Sequence, residues 1–213
     1  MATRLDRPDF NIFQCLEESP SDTVAFHAML GIRYPTGIAT YIELAASGRP
    51  FTDIVKEYAP RIAALARRGI RVERLILGPG PEDPGYEIFW ALKRLVMQQV
   101  VEAGEVMHVA KLPEHRTALE TMRHTSALAD AHLRGIGEGV PQSSFWLVAR
   151  PGEPALMWIM NYQRDPQTQE ITFVGGPLYE GCNLERPVDD VERWGVFWRK
   201  VFETSQAISL NQA

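Results

Sequence analysis

Along the chain the spacing of apolar positions alternates between a helical period and a strand period, with glycine and proline at the joins. "PFTDIVKEYAPRIAALARRG" (50–69) has helical spacing, with Thr52 or Asp53 as a cap. Pro60 is expected to kink that helix or split it, and Gly69 to stop it. "IRVERLIL" (70–77) sets Ile70 and Val72 against Arg71 and Glu73, then reads as apolar, which predicts a strand entering a sheet interior. "YEIFWALKRLVMQQVVEAG" (86–104) places Phe89, Leu92, Leu95 or Val96, Gln99 and Val100 on one helical stripe, ended by Gly104. "EVMHVAKL" (105–112) is a second strand, and "EHRTALETMRHTSALADAHLRG" (114–135), after Pro113, a further helix.

Earlier in the chain, "TVAFHAMLGIRYPTG" (23–37) reads as a strand or a short helix ending before Pro35, and "IATYIELAASG" (38–48) as a helix. Further on, "SFWLVAR", "ALMWIMNYQ" and "EITFVGGPL" are joined by "PGEP" and "RDPQTQ", the turn chemistry of an antiparallel meander. A closing helix, "VDDVERWGVFWRKVFETSQAI" (188–208), puts Val191, Trp194, Phe197 or Trp198, and Val201 or Phe202 on one side. Its Asp189, Asp190 and Glu192 face the positive end of the helix dipole. Strands joined through helices, followed by a meander, predict an α/β fold. The expected sheet is mixed, with a parallel portion and a C-terminal antiparallel meander, and is flanked by helices. No strong linker divides the chain, so residues 23–207 read as one domain, with an N-terminal extension (1–22) and a C-terminal tail (208–213).

Composition changes this picture only by exclusion. A net charge of −5 argues against sequence-independent binding to nucleic acid or anionic membrane. No apolar run approaches a membrane span, and "MATRLDRPDFNIF" lacks the apolar core of a signal peptide, so a soluble, cytoplasmic protein is expected. Two cysteines, Cys15 and Cys182, make no disulfide framework and no metal-finger spacing.

The most chemically loaded stretch is "VMHVAKLPEH" (106–115). Strand alternation puts His108 and Lys111 on opposite faces, which leaves His108 alone as a residue facing a cleft or half-buried against backbone. With Glu105 it forms the candidate acid–base pair, and Tyr162 or Glu180 would complete it across a cleft. Glu120 and His124 share a helix face with His132 two turns on, but no HExxH motif supplies further ligands, so neither a metal nor another cofactor is expected. No GxSxG elbow occurs, and "GPGPEDPG" (78–85) matches no phosphate loop because its prolines remove amide donors. Cys182 sits in "YEGCNLERP", which reads as a polar loop. "ALMWIMNY" is apolar on both faces, as in a central strand. One of its faces, with Trp158 and Tyr162, could instead line a ligand pocket with Tyr179 and Glu180.

The order of "RRGIRVERLIL", "EAGEVMHVAKL", "SFWLVAR", a meander and "DDVERWGVFWRKVF" resembles single-unit and sensor-type members of the phospholipase-D-like superfamily, over roughly residues 25–205. Active members use HxK followed by an acidic residue; here His108-Val109-Ala110-Lys111 is one residue too long. The resemblance therefore implies a non-catalytic scaffold for binding a small molecule or a protein partner, with a homodimer left open. The alternative is a small-molecule enzyme of specialised metabolism centred on His108.

Overall fold

The computed structural model describes residues 1–30, 58–78, 80–82, 100–125, 144–164 and 171–207, together with Glu87, Trp90 and Gln98. Its core is a mixed sheet in the order β1-β8-β6-β5-β2-β3-β4-β9, with β7 paired to β6. The strands are β1 (Thr3–Leu5), β2 (Val24–Leu30), β3 (Arg71–Gly78), β4 (Val106–Lys111), β5 (Ser144–Ala149), β6 (Ala155–Arg164), β7 (Ile171–Gly175), β8 (Leu178–Cys182) and β9 (Gln206–Ala207). β2, β3 and β4 are parallel to one another. Every other pairing, from β2–β5 through the β5–β6–β7 meander to β4–β9, is antiparallel. This is the α/β architecture with parallel and antiparallel portions that the periodicities predict.

Helices cover both faces. α1 (Ile12–Glu18) and α2 (Ala59–Arg67) lie on one, where Ile12, Leu16, Ile62 and Leu65 pack against Val72, Trp146, Val148 and Trp158. α4 (Asp190–Thr204) lies on the other, where Val191, Trp194, Trp198 and Val201 meet Phe26, Leu75, Phe145, Leu147 and Met157. Leu119 of α3 (Leu112–Thr125) joins that second core. Consecutive side chains on β6 therefore bury on opposite faces: Met157 and Ile159 toward α4, Leu156 and Trp158 toward α1. Two buried faces explain why the strand is apolar throughout.

Gly69 terminates α2 with φ +78°, and the Ile70 amide reaches back to the Leu65 carbonyl, so the chain leaves the helix and enters β3 at Arg71. Gly104 repeats the device before β4 with φ +105°. Pro60 lies in the first turn of α2, where its missing amide proton is not needed, rather than at a kink inside the helix. α3 begins at Leu112, so Pro113 is likewise tolerated in a first turn. Asp189 caps α4 by accepting from the Glu192 amide at 3.0 Å, and Glu192 accepts in return from the Asp189 amide at 3.2 Å.

Three details depart from expectation. The first 22 residues, set apart above as an extension, contribute β1 to the sheet edge and α1 to the core. "YEGCNLERP" is not wholly a loop: Tyr179 to Cys182 belong to β8, and Cys182 is buried. "IRVERLIL" is not wholly apolar in its second half, because Arg74 falls on the buried face with Val72 and Ile76. The expected helix at 38–48, residues 31–37, Thr52 and Asp53 lie outside the described residues, as does most of the stripe at 89–99.

Candidate functional site

His108 sits inside β4, opposite Leu75 of β3 and Ala207 of β9, with its ring on the α4 face. Its ring centroid lies 3.8 Å from that of Phe202, and its Nδ1 is 2.9 Å from Ser205 Oγ. Ser205 Oγ donates its proton to the Phe202 carbonyl at 2.6 Å. The hydroxyl is thus the acceptor toward His108, and Nδ1 carries the ring proton. A serine so engaged is not activated as a nucleophile, which would require it to donate to the ring. Burial lowers the His108 pKa below its ordinary value, against the smaller opposing pull of Glu73 and of hydrogen bonding at Ser205 and Phe202.

Glu105 lies on the other side of the sheet. It is 2% exposed and accepts from Arg74 Nε, while Tyr58 donates to its Oε2 at 2.9 Å. Arg74 also donates to the Tyr58 hydroxyl, and its guanidinium lies 5.0 Å over the Tyr58 ring. Burial opposes the Arg74 charge, but Glu105 and then Tyr58 more than offset it, holding its pKa above the ordinary value. Burial pushes the Tyr58 phenol well above its usual range, against the pull of Arg74. His108 and Glu105 are therefore separated by the sheet, and each is committed to a different set of contacts. The expected acid–base pair does not form.

The described polar cluster on the α2 face extends beyond Glu105. Leu178, Trp158, Trp146, His27, Arg74 and Met107 stand directly opposite one another on successive strands. None is more than 8% exposed. His27 stacks on Trp146 at 4.2 Å between centroids, with the rings 12° apart. Neither His27 nor Arg74 is among the candidates that the sequence offers. Their signal was a polar residue at a buried-parity position of an otherwise apolar strand.

The three ligand candidates whose side chains are described do not converge. Trp158 belongs to that buried row, where Phe10 meets it edge-on at 5.1 Å, so it is core. Tyr179, next in β8 to Leu178, points to the opposite face and is half-buried against the α4-side core. Glu180 is exposed near the sheet edge, opposite Thr3. Tyr162 pairs with Phe173 through its backbone, and its side chain lies outside the described part of the structure.

A pocket of about 340 Å³ does open on the α4 face. Sheet residues Val24, Phe26, Leu147 and Ala149 line it together with Leu184 and with Phe202 of α4. Arg71, Glu73, Arg199 and Glu203 bring charge to its rim. Phe202 is edge-on to Phe26 at 5.2 Å, and its ring is the same one that meets His108. His108 therefore supports a pocket wall without lining the pocket. The Arg71 and Glu73 alternation visible in β3 is one edge of this site; the other residues come from four further segments, and no local pattern announces them.

The remaining candidates are quieter. Glu120 and His124 are exposed on α3, while His132 and the His115 side chain lie outside the description. Among the described residues no group of three His, Cys, Asp or Glu side chains could hold a metal ion. Burial raises the Cys15 thiol, and burial with Asp189 and Glu192 pushes Cys182 up to about 12, so neither is a thiolate at neutral pH. Among the described residues no helix is long and apolar enough to cross a membrane. No family model matches the chain, and neither the curated proteins nor the solved structures contain a significant match.

Proposed function

We propose that this chain is a non-catalytic, small-molecule-binding module with a regulatory role in the cytoplasm, built on a phospholipase-D-like scaffold. The observation that carries the reading is the 340 Å³ pocket between α4 and the sheet, with apolar residues in its lining and charge at its rim. Its size lies at the small end of the range typical of ligand sites, and a few polar groups around an apolar interior are the usual means of orienting a ligand. Against an enzyme centred on His108 stand the inverted Ser205 hydrogen bond and the separation of Glu105.

Ala149 is exposed and lines the pocket, so Ala149→Trp should fill the pocket without disturbing the core. Saturation-transfer NMR with a collection of small aromatic and aliphatic fragments provides the test. The wild type is expected to engage a subset that Ala149→Trp, with an unchanged melting temperature, no longer engages. A wild type that engages none, or a variant that engages the same subset, would sink the proposal.

A further inference from the structure

We infer that the α4 pocket takes a small zwitterion with an apolar body, of the class of an aromatic or branched α-amino acid; this rests on the binding reading above. The charges on its rim are not equivalent. Arg71 Nε lies 2.6 Å from Glu73 Oε1, so this pair neutralises itself. Among the described residues neither Arg199 nor Glu203 forms an ion pair, and both are exposed beside the opening. They stand four apart on α4, so their side chains leave the same face about 6 Å apart at Cβ. Phe202 lies between them in sequence and supplies the apolar wall below.

The end of α4 adds polarity in the same sense. Its last turn holds Glu203 and no basic residue; the Thr204 and Ser205 hydroxyls donate to the Lys200, Val201 and Phe202 carbonyls, so the negative end of the helix dipole meets neutral donors and no positive side chain there. An ammonium is favoured at that end and a carboxylate one turn earlier, at Arg199. The guanidinium suits a carboxylate because its parallel N–H groups match the two oxygens. A single α-carbon carrying both groups spans the two side chains, and its own side chain then drops onto Phe26, Leu147 and Phe202. A dianion would meet Glu203, and a simple cation would leave Arg199 unanswered.

Isothermal titration of the whole chain with L-phenylalanine, 3-phenylpropionate and 2-phenylethylamine tests this. L-phenylalanine should bind at least ten-fold more tightly than either analogue. Arg199→Gln should weaken phenylalanine and phenylpropionate about ten-fold and leave phenylethylamine unchanged; Glu203→Gln should do the reverse. Both positions are exposed, so the variants should fold, and their melting temperatures verify it. Equal binding of the three compounds, indifference of phenylalanine to both variants, or no phenylalanine binding would overturn the zwitterion assignment. The fragment experiment with Ala149→Trp would still stand in each of these cases, so the two failures are separable.

Discussion

Ser205 Oγ accepts a hydrogen bond from His108 Nδ1 at 2.9 Å while giving its own proton to the Phe202 carbonyl at 2.6 Å. Ser205 is the residue that ends α4 and precedes β9, so this one contact fastens the end of the last helix to β4. The histidine that looks most catalytic in the sequence thus works as a structural clasp, and it holds the pocket wall in place through Phe202.

A clasp of this kind has a pH signature. Burial lowers the His108 pKa in the fold, so the unfolded chain binds its proton more readily. Its stabilising contribution is complete above the unfolded value near 6.5 and is lost as pH falls through the lower folded value. His108→Leu keeps an apolar body beside Phe202 and cannot titrate. Urea unfolding at pH 7 and pH 5 should show a larger drop for wild type than for His108→Leu; equal drops would refute the assignment.

The Arg74–Glu105 pair is deeply buried, so breaking it from one side leaves a charge without its partner. Arg74→Met and Glu105→Leu should each cost roughly 3–5 kcal/mol, whereas the double variant should cost far less than their sum. Additive effects in denaturant unfolding would show that the two residues are not coupled.

Glu192 is 0% exposed and accepts from the amides of Val188 at 2.6 Å, Asn183 at 3.0 Å and Asp189 at 3.2 Å. Burial alone would raise its pKa, but these bonds outweigh it and hold the carboxyl below its ordinary value. Asp189→Ala should cost about 1 kcal/mol through the lost cap. Glu192→Ala should cost more, about 3 kcal/mol, because several buried amides lose their acceptor. The Glu192 contribution is present above pH 4.5 and disappears as pH falls through the lowered folded value, so Glu192→Gln should flatten the acid limb of a stability–pH curve. An unchanged acid limb would contradict this account.

Trp158 separates core from pocket. As a member of the buried row, it should cost about 3–5 kcal/mol when changed to alanine. Any ligand of the α4 pocket should bind that variant within two-fold of wild type at a temperature where it is folded. A stable Trp158→Ala variant with lost binding would move the site to the other face of the sheet.

Much of the fold was legible because its signals are local. The strand–helix alternation of β3, β4 and α4 appears directly in the spacing of apolar residues, and Gly69 and Gly104 mark the helix ends where the structure shows positive φ. β1 and β9 escaped because three and two residues are too few to show a period, and β8 because the polar residues of "YEGCNLERP" read as a loop. The candidate site was hardly legible at all. His108 was found, but its role was not, because Phe202 and Ser205 lie nearly a hundred positions away.

By itself the sequence determined the α/β class, the meander, the apolar character of β6 on both faces and the acidic start of α4, since period and capping depend on residues within a turn or two of one another. Only the tertiary structure decided that Glu105 pairs with Arg74, that His108 clasps Ser205, and that Arg199 and Glu203 line one pocket with Phe26 and Leu147. Those relationships depend on strand order and register. Burying both faces of the whole sheet at once sets these, and no local stretch of the chain encodes them.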